Sequence, residues 1–174
     1  MMSTPVFALI RRWMRNLVPV ASTFLFVLLG QLPMPLPFLS DVAPAFALMS
    51  LYYWAVFRPD LMPYAAVFGL GILQDAIAGA PLGLYALVFL LVQALVVNQR
   101  RFVAGKPFWV FWSAFALVAP IATFASWFLA SVSRGALLAP ETTLVALLMT
   151  VTLFPAVAWL LVHAQRRLIG MADA

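Results

Sequence analysis

Six apolar stretches follow one another through this chain, with so little between them that hardly any residue is left for a water-facing surface. They cover about Leu17 to Met34, Val42 to Phe57, Met62 to Ala78, Leu84 to Val97, Pro107 to Val132 and Thr142 to Val162. A helix needs about 20 predominantly apolar residues to cross the hydrocarbon core of a bilayer. A chain of 174 residues with short loops therefore holds six such helices and no soluble catalytic domain. Charge agrees, since 9% of the residues are charged against roughly 25% in a soluble domain. The solvent for most of this chain is lipid. The expected fold is an all-α polytopic membrane protein, a single integral membrane domain over residues 1–174 that is not an enzyme.

The breaks between the stretches set the topology. Arg11, Arg12 and Arg15 precede the first span, and Pro19 interrupts its apolar run near the start. That run exceeds the about 7 to 15 residues of a signal-peptide core, so it reads as a span and not as a cleaved leader. Pro33, Pro35, Pro37, Asp41 and Pro44 break the chain on the far side without adding a lysine or arginine. Arg58-Pro59-Asp60 is a tight polar turn back, and Ala78 to Gly83 reads as a hairpin in which Gly79 and Gly83 permit unusual backbone angles. Asn98 to Lys106 forms a basic loop, and His163, Gln165, Arg166 and Arg167 close the last span. Nine lysines and arginines fall on the side of the two termini and only Arg134 on the other. Positive charge is retained in the cytoplasm, which predicts an N-in, C-in orientation. Trp13, Trp54, Trp109, Trp112 and Trp159 lie near the predicted cytoplasmic ends, where indoles sit in the interface with a wet N–H.

Asp75 most needs an explanation, because a carboxylate inside a span is costly unless it faces protein or water. Gly71, Asp75 and Gly79 recur at i, i+4, i+8 and form a small-residue face with one polar group, which predicts that another helix packs there. Three roles remain open for Asp75. It accepts hydrogen bonds from the Pro81 hairpin or pairs with Arg134; it touches a partner protein; or it belongs to an ion pathway, although no second intramembrane carboxylate is there to relay protons. Gly79 and Gly83 have GxxxG spacing, but Pro81 between them favours a turn over a dimerisation face.

No catalytic residue, metal ligand set or cofactor site is expected. Cysteine is absent, and one histidine, His163, at a helix end makes no zinc site. The serines have no histidine within reach, and within spans they are expected to bond backbone carbonyls. No glycine-rich phosphate loop occurs. The formal charge of +5 comes from scattered arginines beside apolar stretches, a pattern suited to anionic membrane lipids and not to nucleic acid.

One stretch carries a family resemblance. Tyr52-Tyr53-Trp54, Arg58-Pro59, Phe68-Gly69-Leu70-Gly71-Ile72-Leu73-Gln74-Asp75 and Gly79-Ala80-Pro81-Leu82-Gly83 together resemble the rod shape-determining MreD family. The signature, Gly-x-x-x-Asp followed by Gly-x-Pro-x-Gly, lies in a region of about a third of the chain, Pro44 to Arg101, and the length and basic amino terminus also fit. The resemblance implies a non-enzymatic scaffold of the bacterial elongation machinery in the inner (cytoplasmic) membrane. Its partner would be the bitopic protein MreC, and it would support rod shape and lateral peptidoglycan synthesis with MreB and wall-synthesis enzymes; a homodimer is compatible. It also implies a six-helix fold similar to the substrate-binding components of energy-coupling factor transporters. Asp75, Gly71, Gly79, Pro81 and Gly83 then become structural or partner-binding candidates. The alternative is a vitamin-binding transporter subunit, which would need a polar pocket open to the outside.

Overall fold

The computed structural model describes residues 5–31, 43–136 and 140–170, with side chains described from Leu17 to Gln165 within those ranges. The proline-rich stretch 32–42 and the side chains of Arg11, Arg12, Trp13, Arg15, Arg166 and Arg167 lie outside the described residues. Six α-helices make up the described chain: α1 (Pro5–Leu29), α2 (Phe46–Phe57), α3 (Tyr64–Ala78), α4 (Leu84–Val103), α5 (Phe108–Arg134) and α6 (Pro140–Gly170). A short 3-10 turn, Pro59–Leu61, joins α2 to α3. Three helices, α4, α5 and Pro140–Gln165 of α6, are long and apolar enough to cross a membrane, while α2, α3 and Leu17–Leu29 are shorter apolar segments.

The helices differ from the apolar stretches at several ends, for physical reasons. α1 begins at Pro5, well before the apolar run, and continues through Pro19. α4 continues through Asn98, Arg100 and Arg101 to Val103, so most of the expected basic loop is helix. Nothing in that stretch breaks a helix until Gly105, at φ 79°, and Pro107. Cations in the last turn also suit the negative end of the helix dipole. An apolar stretch of membrane-crossing length therefore underestimates this helix.

α2 sits at the centre. It packs on α1, α4 and α6, while α1, α3, α4, α5 and α6 follow one another around it. Its sequence, Phe-Ala-Leu-Met-Ser-Leu-Tyr-Tyr-Trp-Ala-Val-Phe, is apolar around the whole circumference, as a fully enclosed helix requires, and Ala47 to Val56 are all buried. The polar atoms it carries are partnered by its neighbours. Ser50 and Thr23 of α1 share a hydrogen bond of 2.9 Å. Trp54 Nε1 donates to Ser22 Oγ at 2.8 Å. Tyr52 Oη donates to the Phe111 carbonyl at 3.1 Å, and Tyr53 Oη to Gln165 Oε1 at 2.7 Å. Tyr52 also packs in an aromatic cluster with Phe111, Phe115 and Phe154, the last two stacked at 3.9 Å.

Trp54 corrects the interfacial expectation. It is 0% exposed, because it lies on the central helix and not on the rim. Trp109 and Trp159 are exposed, whereas Trp112, expected with a wet N–H, donates its Nε1–H to the Val151 carbonyl at 3.0 Å. The serines divide: Ser22, Ser113, Ser126 and Ser133 donate to backbone carbonyls, whereas Ser50 pairs with a side chain. Tyr52→Phe removes a single hydroxyl bond from the buried cluster and is expected to destabilise the fold by about 1 kcal/mol. Its SDS-unfolding midpoint in mild detergent, compared with wild type, measures this.

Candidate functional site

The motif singled out from the sequence forms the α3–α4 hairpin, and each of its residues has a distinct physical task. Gly71 lies where α3 meets α4 most closely. A Cβ there would sit 2.6 Å from the Ala86 backbone nitrogen and closer still to its Cα. Only glycine permits that approach. One turn on, the Asp75 side chain reaches across to the start of α4. Oδ2 accepts the Gly83 N–H at 2.8 Å, and Oδ1 accepts the Tyr85 N–H at 2.7 Å.

Gly83 is the N-cap of α4 and has no side chain with which to cap it. Asp75 supplies the cap from the preceding helix, placing its carboxylate at the positive end of the α4 dipole. The backbone carbonyl of Asp75 also accepts the N–H groups of Gly79, which ends α3 at φ 62°, and Ala80, the latter at 3.0 Å. The Pro81 carbonyl takes the Leu84 N–H at 3.1 Å, and Gly83 turns at φ 99° into α4. One residue thus ties both sides of the turn. This accounts for a buried carboxylate, 0% exposed, inside an apolar bundle.

Of the candidate residues, Gly71, Asp75, Gly79, Pro81 and Gly83 are brought together. Gly71 and Asp75 turn onto α4 of the same chain, while the tip is outward, with Pro81 exposed and Leu82 76% exposed. Arg134 ends α5 at the same end of the bundle and lines a cavity beside the hairpin. Both carboxylate oxygens of Asp75 are engaged by the hairpin backbone without it.

The cavity itself was not legible from the sequence. Two adjoining spaces, of about 200 and about 380 Å³, share Ala43, Ala45, Ala78, Tyr85, Thr123 and Ser126 in their walls. They lie at the amino-terminal end of α2, and the shortness of that helix explains them. At 1.5 Å per residue its length is about 18 Å, against about 30 Å of hydrocarbon core. The chain leading into α2 is anchored by the Ala45 N–H, which donates to Thr150 Oγ1 of α6 at 3.0 Å. Gln74, Gln31, Tyr85 and hydroxyl groups give the walls polar character.

Among the described residues no group of three or more His, Asp or Glu side chains comes together. His163 Nδ1 lies 3.0 Å from the Trp159 carbonyl, and its ring packs on the Trp159 indole at 4.1 Å.

No curated protein and no solved structure matches the chain. A family model, described as rod shape-determining protein MreD, matches residues 11–163, which carries the resemblance beyond the hairpin into the carboxy-terminal half. The described residues, helical with three membrane-length helices among them, fit that membrane family. With the match running from before the central helix to the last turns of α6, the chain belongs to the MreD family of rod shape-determining proteins, a cell-shape family and not a known enzyme family.

Proposed function

We propose that this protein is a six-span scaffold of the bacterial inner membrane, N-in and C-in, which holds the elongation machinery through MreC. Indirect partners are MreB and the wall-synthesis enzymes that build lateral peptidoglycan. The observation that carries the reading is the hairpin. A buried carboxylate is used to fix a turn rigidly, and the turn presents an exposed Leu82 and Pro81 at the bundle surface, on the side away from Arg58, Arg100, Arg101 and Lys106. A rigid, protruding apolar tip is a suitable contact for a partner that crosses the membrane once. Family membership supports a role in shape determination, and the charge asymmetry supports the orientation. A six-helix arrangement like that of the transporter substrate-binding components belongs to the same proposal.

The test is affinity purification through a carboxy-terminal tag from native membranes. MreC with wall-synthesis proteins is the expected yield. Recovery of ATPase subunits with a coupling membrane protein would instead favour the vitamin-binding reading, for which the polar-walled cavity is the supporting feature. The orientation has its own check. A carboxy-terminal reporter that is active only in the cytoplasm is expected to be active, and an inactive one would invert the topology.

A further inference from the structure

The cavity beside the hairpin continues sideways. Past Thr123, Trp127 and Thr143, which line both spaces, it adjoins a groove of about 310 Å³ between α5 and α6. The two parts differ in chemistry. The inner part holds Arg134 with Ser126 and Thr150, whereas the groove is walled by Pro120, Phe124, Leu144 and Leu147. Phe124 is 64% exposed and Leu144 58%, so the groove borders on lipid. From Arg134 back to Pro120 the α5 wall extends about 21 Å at 1.5 Å per residue, comparable to an acyl chain.

Charge narrows the occupant. Arg134 is the one basic residue that the topology puts at this end of the bundle. A guanidinium presents a planar fork matched to phosphate oxygens, and Thr143 lines the same space. Cationic at Arg134 and apolar along the adjoining α5–α6 groove, the composite site has the complementarity of an anionic amphiphile. We propose that it binds an anionic phospholipid, with the phosphate on Arg134 and one acyl chain in the α5–α6 groove. The proposal rests on the membrane placement above but not on any protein partner.

The full-length protein, purified in mild detergent, is tested by native mass spectrometry with phosphatidylglycerol and with phosphatidylcholine of identical chains. Wild type is expected to retain phosphatidylglycerol preferentially. Arg134→Gln should lower that retention by about tenfold, the loss of a charge-assisted contact, while Arg100→Gln at the opposite end leaves it unchanged. Leu144→Trp, which fills the groove and keeps the charge, should lower it as well. Arg134 and Leu144 are both exposed, so neither replacement enters the core, and Arg134→Lys should retain part of the preference.

Equal retention by wild type and Arg134→Gln, or no discrimination between the two lipids, overturns the proposal. So does displacement of the lipid by inorganic phosphate alone, which would mark a free-anion site. MreC recovery scored on the same preparations separates the readings. Lipid preference absent with MreC retained sinks only the lipid site, and the reverse sinks only the scaffold.

Discussion

Asp75→Ala is expected to cost the fold about 3 kcal/mol. Two backbone N–H groups, those of Gly83 and Tyr85, lose their acceptor in one step. Each buried donor left without a partner costs about 1–3 kcal/mol, and loss of a helix cap by itself costs about 1 kcal/mol. The alanine also removes the negative charge from the amino-terminal end of α4. Since Asp75 is wholly buried, the new methyl group leaves space around these donors. Asp75→Asn is the informative companion. Its amide retains one acceptor oxygen and turns a donor toward the second N–H, so a loss intermediate between wild type and alanine is expected. The SDS-unfolding midpoint and the yield of monodisperse protein from membranes are the measurements. An Asp75→Ala protein as stable as wild type would show that the carboxylate is there for a ligand or partner and not for the turn.

Gly71→Ala should have an effect of similar size through a different cause. The added Cβ meets the Ala86 backbone, which has no rotamer with which to move aside. Overpacking of this kind costs about 1–3 kcal/mol, and contact with backbone puts it at the upper end, because α3 and α4 must separate along their whole interface. Gly69→Ala is the control. Beyond its own stretch of helix no heavy atom lies within 4 Å of its ideal Cβ, and it is on the same helix. A gain of about 0.5–1 kcal/mol from helix propensity is expected there. Opposite signs for two glycines two residues apart would establish that the α3–α4 approach sets the response. A loss at both would point to a helix-wide effect.

The hairpin was largely legible in the sequence because its signals are local. A glycine and an aspartate at four-residue spacing share a face by helical geometry alone, and Pro81 between two glycines marks a turn; Gly79, expected on the same face, instead ends α3 at φ 62° with open space where a side chain would be. That Asp75 uses both oxygens on the far side of the turn was one of several open options, since distances across a turn depend on how two helices cross. Trp54 shows where local reading ends. Hydropathy gives depth along the membrane normal, which placed this indole near an interface, but not lateral position, which buries it at the bundle centre. The cavity was invisible for the same reason. Its walls come from Ala45, Gln74, Tyr85, Thr123 and Arg134, five positions that become neighbours only when helices choose partners. Basic residues at the end of α4 were read as loop because a span was equated with a helix.

The enclosure of α2 sets an order of events during synthesis. Its serine and tryptophan find their partners on α1, Thr23 and Ser22, which have already left the ribosome. Its tyrosines must wait, Tyr52 for the Phe111 carbonyl and Tyr53 for Gln165. At about 5–20 residues per second, the interval between making Tyr53 and making Gln165 is about 6–22 s. Until Phe111 is made the Tyr52 hydroxyl lacks that acceptor, and throughout the interval the Tyr53 hydroxyl lacks Gln165. Any nascent chain that stops before α6 lacks Gln165 for Tyr53 and Thr150 for the Ala45 N–H. Completion of the last helix is therefore the step that distinguishes finished protein from material fit for membrane proteolysis, and shortened chains are expected to be cleared and not to accumulate as partial scaffolds.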